Sequence, residues 1–126
     1  MNTLIFSSGL LCLFTSLVHI IGGQIDPVRP FLKSDLADIP KAVLLACWHM
    51  VSVTLVFSSI LLLYVGWYSI ISLYSAIMLL SGMYVIFALV FLIVGFYFFR
   101  GGTFTKLPQW ILLLPIGILG VIGVMY

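Results

Sequence analysis

The chain consists of long uncharged stretches separated by two short charged ones. The first uncharged stretch runs from Thr3 to Gly22, and no charged residue occurs between Ala42 and Phe99. A helix needs about 20 apolar residues to cross a hydrocarbon core of roughly 30 Å, so the second stretch is long enough for two crossings. A last apolar stretch begins near Pro108. The pattern predicts four transmembrane helices, at about residues 3–22, 39–64, 69–99 and 108–125.

Individual residues indicate where these helices begin and end. Gly22 and Gly23 are expected to end the first helix, and Asp38 followed by Pro40 is typical of a helix start. The turn between the second and third helices is expected at Gly66. Aromatic side chains typical of a membrane interface surround that glycine: Tyr64, Trp67, Tyr68 and Tyr74.

Composition supports lipid as the solvent of this chain. Of its 126 residues, 64% are hydrophobic and 6% are charged, and the mean hydropathy is +1.38. A soluble domain of this size needs a far more polar surface. The first helix lacks a basic leading region and a small-residue cleavage site, so we expect it to stay on the protein. The predicted fold class is all-α: one polytopic domain, residues 1–126, with four transmembrane helices in an up-down bundle.

The positive charges predict an orientation. In an up-down bundle the first and third connections lie on one side of the membrane, and both ends of the chain lie on the other. Every Lys and Arg falls in those two connections, so the positive-inside rule places the ends on the non-cytoplasmic side. The five cations are Arg29, Lys33, Lys41, Arg100 and Lys106.

Polar residues inside the predicted helices fall on single helical faces. We expect these faces to turn toward one another, because hydroxyl and small side chains allow membrane helices to pack closely. The expected faces are Ser8, Cys12, Thr15 and His19 on the first helix, His49, Ser52, Val56 and Ser59 on the second, and Tyr68, Ser72, Ser75 and Gly82 on the third.

The fourth helix carries glycine at every third position: Gly117, Gly120 and Gly123. Such a smooth surface predicts close packing, either against another helix of the same chain or against a second copy in a homo-oligomer or larger membrane complex. The lipid bilayer is the other expected partner. Nothing in the sequence favours nucleic acid.

His19 and His49 are the only histidines of the chain and lie within predicted spans. An ionisable residue there suggests a function, although a neutral imidazole also serves as a structural hydrogen-bonding group. Three functional alternatives stay open for this candidate cofactor site. His19 and His49 could hold haem b, or the polar faces could line a proton or small-molecule path. A copper site could also form from Cys47, His49 and Met50, with Cys12 on the same face as His19.

Catalytic signatures are missing from the sequence. There is no paired carboxylate, nucleophile elbow, phosphate loop or nucleotide signature, and the cysteine spacing does not suit zinc. We therefore expect no catalytic residues and no enzyme. The favoured function is a non-enzymatic structural or accessory membrane component. The alternatives are a haem- or metal-binding membrane protein and a small oligomeric transporter or channel.

One stretch of the chain resembles a known group of proteins. His-x-x-Gly-Gly at His19, then "RPFLKSDL", then "CWHMVSVTLV" is similar to small bacterial four-helix membrane proteins of uncharacterised activity. The similarity covers roughly residues 10 to 60. It implies a bacterial inner-membrane location and no particular mechanism. Its motif positions in this chain are His19, Gly22, Gly23, Arg29, Pro30, Trp48 and His49.

Overall fold

The computed structural model describes residues 1–126 and confirms an all-α chain with four long helices and no strand. Shorter helical segments fill the two connections that carry charge. In chain order the elements are α1 (Thr3–Leu17), π-helical turns at Val18–Gly22 and Gln24–Val28, α2 (Arg29–Leu32), α3 (Asp38–Tyr68), a 3₁₀ turn at Ile71–Leu73, α4 (Tyr74–Phe99), a 3₁₀ turn at Arg100–Gly102, α5 (Thr103–Lys106) and α6 (Trp110–Met125).

Three continuous helical segments are long and apolar enough to cross a membrane: Thr3–Leu32, Asp38–Tyr68 and Ile71–Lys106. The fourth long helix, α6, has 16 residues. At about 1.5 Å per residue it extends for about 24 Å, which is less than a hydrocarbon core of roughly 30 Å. The composition and length of the other three are those of a membrane protein.

The first helix does not end at Gly22 and Gly23, contrary to expectation. Gly23 has helical dihedrals (φ −67°, ψ −25°), and helical turns follow it as far as Leu32 with one kink between them. The path breaks instead at Asp26, which is extended (φ −148°, ψ 118°), because a following proline disfavours the helical region for the residue before it. A Cβ at Gly23 would overlap the indole of Trp48, so this glycine serves helix packing.

The turn between α3 and α4 also lies beyond its predicted position. α3 continues through Gly66 to Tyr68, and the chain reverses at Ser69, which adopts the left-handed conformation (φ 52°, ψ 49°). Gly66 is buried, and a Cβ there would lie 2.7 Å from the Cα of Phe6. The absence of a side chain therefore permits the backbones of α1 and α3 to approach closely.

The four long helices pack as a bundle that is closed on three sides. α1 packs extensively on α3 and on α6, and α6 packs extensively on α4. α3 and α4 are neighbours in sequence but make only sparse contact with each other. The fourth side of the bundle, between α3 and α4, is therefore open.

Asn2 joins all four long helices at one end of the bundle. Its backbone N–H donates to the carbonyl of Gly66 in α3 (2.7 Å). Its side-chain amide donates to the carbonyl of Gly123 in α6 (2.6 Å) and to the hydroxyl of Tyr74 in α4 (3.2 Å). Its side-chain oxygen caps α1 by accepting from the N–H of Ile5 (3.1 Å). We call this the Asn2 end, and the opposite end, with residues 24–41 and 100–109, the charged end.

Burial confirms the expected face of the first helix but not those of the second and third. Ser8, Cys12 and Thr15 are buried. On the second expected face Ser59 is buried and Ser52 half-buried, but His49 and Val56 are exposed. On the third, Tyr68, Ser72 and Ser75 are exposed. The buried residues are Leu55, Ser58, Ser59, Leu62, Val65 and Gly66 on α3, and Ile77, Ser81, Tyr84, Ala88 and Gly95 on α4.

The glycines of α6 pack inside the chain. A Cβ at Gly117 would meet the backbone of Ser81 in α4, and a Cβ at Gly123 would meet Ile5 in α1. Gly120 lies directly against the side chain of Ser81. The glycine surface is therefore occupied by α1 and α4 of the same chain, the first of the two uses that the sequence suggests.

Candidate functional site

The centre of the bundle holds a small group of buried polar side chains. The hydroxyl of Tyr84 lies 3.3 Å from the sulfur of Cys12, which also contacts the carbonyl of Leu55 (3.5 Å). The hydroxyl of Ser58 lies beside the same phenol. Cys12 and Tyr84 are fully buried. The cluster therefore links α1, α3 and α4 through polar atoms that have no access to the surroundings.

Sequence reasoning overlooked Tyr84. Tyrosines near the ends of spans are common interface residues, whereas Tyr84 lies in the middle of α4, where its hydroxyl needs a partner inside the protein. That central position is the signal that could have identified it.

Two serines connect α6 to its neighbours. The hydroxyl of Ser8 in α1 donates to the carbonyl of Ile116 in α6 (2.7 Å). Ser81 in α4 is buried against Gly120, and its hydroxyl has no hydrogen-bond partner in the chain. Together with the Cys12 cluster, these contacts place buried polar groups at the interfaces between helices.

His19 belongs to a packed cluster with Trp48 and Gly23. The imidazole stacks on the indole of Trp48 with ring centres 3.9 Å apart and planes inclined by 15°. Its Nε2 lies 3.5 Å from the backbone carbonyl of Trp48. Gly23 is one turn further along the helix and provides the space for the indole. This contact joins the π-helical part of the first helix to α3, near the charged end.

His49 lies in different surroundings. It is exposed and lines a shallow groove on the outer surface of α3 together with Ala46, Met50, Val53 and Thr54. No residue of the first helix lines that groove. The structure therefore does not bring His19 and His49 together in one site. His19 contacts Trp48, whereas the next residue, His49, lines the outer groove.

The residues expected for a copper site are also divided. Met50 shares the outer groove with His49, Cys47 is exposed, and Cys12 is held in the core beside Tyr84. No group of three or more His, Cys, Asp or Glu side chains has the arrangement of a metal site.

The charged end presents cations without partners in the chain. No Lys or Arg lies within 4.0 Å of a carboxylate, and none of the five cationic side chains donates a hydrogen bond. Lys106 extends over the ring of Phe99, with its Nζ 5.0 Å from the ring centre. Arg100 has φ 49° and ψ −121°, a conformation that favours glycine strongly.

Comparison with known proteins gives no match to a family model, to a curated protein or to a solved structure.

Proposed function

We propose that this chain is an integral protein of the bacterial inner membrane that crosses it four times, with both ends on the non-cytoplasmic side, and that it acts as a non-enzymatic structural or accessory component. The structural or accessory role is proposed because the polar groups inside the bundle form hydrogen bonds with one another. Asn2, Ser8, Cys12 and Tyr84 all bond within the chain. A bundle whose interior is committed to its own packing interacts with other molecules through its outer surface.

The outer surface supports the membrane location. Large apolar side chains are exposed along every long helix, for example Phe57 (67%), Leu79 (78%) and Ile93 (68%). A soluble protein rarely leaves so much apolar area open to water, whereas lipid is a suitable solvent for it.

Two features support a fourth crossing by α6 despite its length. Trp110 begins the helix and Tyr126 follows it, which places aromatic residues at both of its ends, as at membrane interfaces. A helix a few ångströms shorter than the hydrocarbon core is accommodated by local thinning of the bilayer. Asn2 contacts Tyr74 at the start of α4 and Gly123 near the end of α6. The two helices are therefore antiparallel, which is the direction that a fourth crossing requires.

The orientation rests on the five cations, all of which lie at the charged end and none at the Asn2 end. The bacterial source rests on the resemblance of residues 10 to 60 to small bacterial membrane proteins. Reporter fusions test both the orientation and the fourth crossing. Alkaline phosphatase fused after Tyr126 should be active, and green fluorescent protein fused there should be dark. A fusion after Ser34 should give the opposite result. Fluorescence after both Tyr126 and Ser34 would contradict the fourth crossing, and fluorescence after Tyr126 with none after Ser34 would contradict the orientation.

The functional part is tested on protein purified in mild detergent. We expect a spectrum without a Soret band, no stoichiometric metal, no ion flux after reconstitution, and migration with a larger assembly on native gels of solubilised membranes. A Soret band lost in both His19→Ala and His49→Ala would replace this proposal with a haem protein. Specific flux through vesicles would replace it with a transporter or channel.

A further inference from the structure

The open side of the bundle begins halfway along α3. One heptad-spaced stripe of α3 contains Leu44, Val51, Leu55 and Leu62, with Val65 at its far end. Leu55, Leu62 and Val65 are 4%, 1% and 0% exposed, whereas Leu44 and Val51 are 48% and 45% exposed. This stripe is therefore buried toward the Asn2 end. Toward the charged end Trp48 still packs on His19 and Gly23, whereas Leu44 and Val51 on either side of it are uncovered.

The facing stripe of α4 shows the same change. Ile77, Tyr84 and Ala88 are completely buried, but Phe98 on the same heptad spacing is 69% exposed and Val94 beside it is 42% exposed. Between these two, only Gly95 is covered, by Thr103 of α5. Because α3 and α4 are joined at Ser69 and contact each other only sparsely, they leave an apolar opening that reaches the charged end. We define the open side by Leu44 and Val51 on α3 and Val94 and Phe98 on α4.

Cations flank this opening where it meets the membrane surface. Lys41 lies one turn before Leu44, in the first turn of α3, and Arg100 follows Phe98 by two residues at the end of α4. Neither has an anionic partner in the chain. Arg100 also occupies a backbone conformation that glycine would adopt at lower cost, and two glycines follow it directly. Such strain at an exposed side chain is typical of a position where the side chain itself is needed.

We propose that the open side binds an anionic phospholipid, with an acyl chain between α3 and α4 and the phosphate near Lys41 and Arg100. The inference rests on the membrane location proposed above. Two unpaired cations above an apolar opening complement the charge and the shape of such a lipid.

The type of side chain favours a lipid over another protein helix. Helices associate in membranes through small residues and interhelical hydrogen bonds, because lipid removes the hydrophobic driving force between them. In this chain Gly66, Gly120 and Ser8 serve the closed contacts. The open side has the bulky apolar residues Leu44, Val51, Val94 and Phe98, whose surface matches a flexible acyl chain better than the ridge of another helix.

Native mass spectrometry of the detergent-purified chain tests this directly. Titration with phosphatidylglycerol should yield one retained lipid per chain, with at least fivefold preference over phosphatidylcholine of the same acyl chains. Each of Lys41→Gln and Arg100→Gln should weaken retention about fivefold, since one cation near a membrane surface contributes about that factor. Lys33→Gln removes the same charge from the loop between α2 and α3 and should change retention less than twofold. Equal retention of both lipids would overturn the proposal.

A second pair of variants tests the apolar part. Val51→Trp fills the open side and should abolish retention of phosphatidylglycerol. Val53→Trp introduces the same ring on the outer surface of α3, where the native valine is 68% exposed, and should leave retention unchanged. Equal retention by the two variants would overturn the proposal, as would a stable dimer that Val51→Trp disrupts and Val53→Trp does not, since a second copy would then occupy this side. Reporter fusions read the topology independently, so a wild-type chain with the proposed topology that shows no preference for phosphatidylglycerol overturns this inference alone.

Discussion

The two ends of the bundle are built from the same kinds of helices but are held together to different degrees. At the Asn2 end, one amide joins four helices and glycines bring the backbones into contact. At the charged end, α3 and α4 leave their facing stripes uncovered. Apolar residues are abundant at both ends, so their abundance does not explain the difference. Small residues and interhelical hydrogen bonds decide where helices close in lipid.

The largest predicted effect comes from one substitution made at both ends of the same stripe. Leu62→Ala opens a cavity in the packed half and should lower the free energy of unfolding by about 3 kcal/mol. Leu44→Ala removes the same atoms from the open half, where no cavity forms, and should cost less than about 1 kcal/mol. Unfolding in sodium dodecyl sulfate, followed by circular dichroism, measures both. Equal losses would show that α3 is covered along its whole length.

The next effect tests the amide that closes the Asn2 end. Asn2→Asp keeps the oxygen that caps α1 but removes the donor to Gly123 and Tyr74. It leaves the buried carbonyl of Gly123 facing a carboxylate, so we expect a loss of about 2 kcal/mol. Asn2→Ala, which also removes the cap, should cost about 1 kcal/mol more. The same unfolding assay applies, and an unchanged Asn2→Asp variant would contradict the four-helix junction.

The smallest predicted loss of stability concerns a place at the charged end where two helices do pack closely, the contact of Gly23 with Trp48. Gly23→Ala places a methyl group against the indole of Trp48 and should cost about 1 kcal/mol. It should also shift the tryptophan emission, because the stack with His19 is displaced. Gly22→Ala is the matched control, since its nearest neighbour would be Val18 Cγ1 at 4.0 Å. Indistinguishable variants would mean that Trp48 does not pack on the first helix.

The sequence was sufficient for the all-α class and for the approximate position of each helix. The uncharged stretches are long, and four such stretches leave few alternatives. The helix ends were less accurate because Gly22, Gly23 and Gly66 were interpreted as helix breakers. In the structure Gly23 and Gly66 lie where another chain segment approaches, and sequence alone does not distinguish a glycine that ends a helix from one that admits a neighbour.

The buried faces of α3 and α4 could not be predicted from their hydroxyl groups. Ser52 donates to the carbonyl of Trp48 (3.1 Å) and Thr54 to that of Met50 (2.9 Å), so their own helix satisfies them. Such a hydroxyl can face any direction, including lipid. Leucine and valine do not indicate the buried face of a membrane helix either, because its lipid-facing and buried sides are both apolar.

The sequence indicated that His19 lies inside the bundle, but it did not show whether His19 and His49 lie in one site. His19 was expected on the interior face and does lie beside α3, where it stacks on Trp48. His49 follows Trp48 by one residue, about 100° around the helix, and therefore points away from that contact. The haem and copper alternatives remain predictions that the spectra described above will test.

The contacts of Asn2 also have a consequence for the order in which the protein forms. Its amide donates to Gly123, 121 residues further along the chain. The Asn2 amide can donate to Tyr74 as soon as α4 is present, but its bond to Gly123 waits until α6 has been synthesised. The first and second helices can associate early through Gly66, but the junction of all four is completed only after α6 arrives. A chain interrupted before α6 would leave Asn2 joined to three helices instead of four, with the bond to Gly123 unmade.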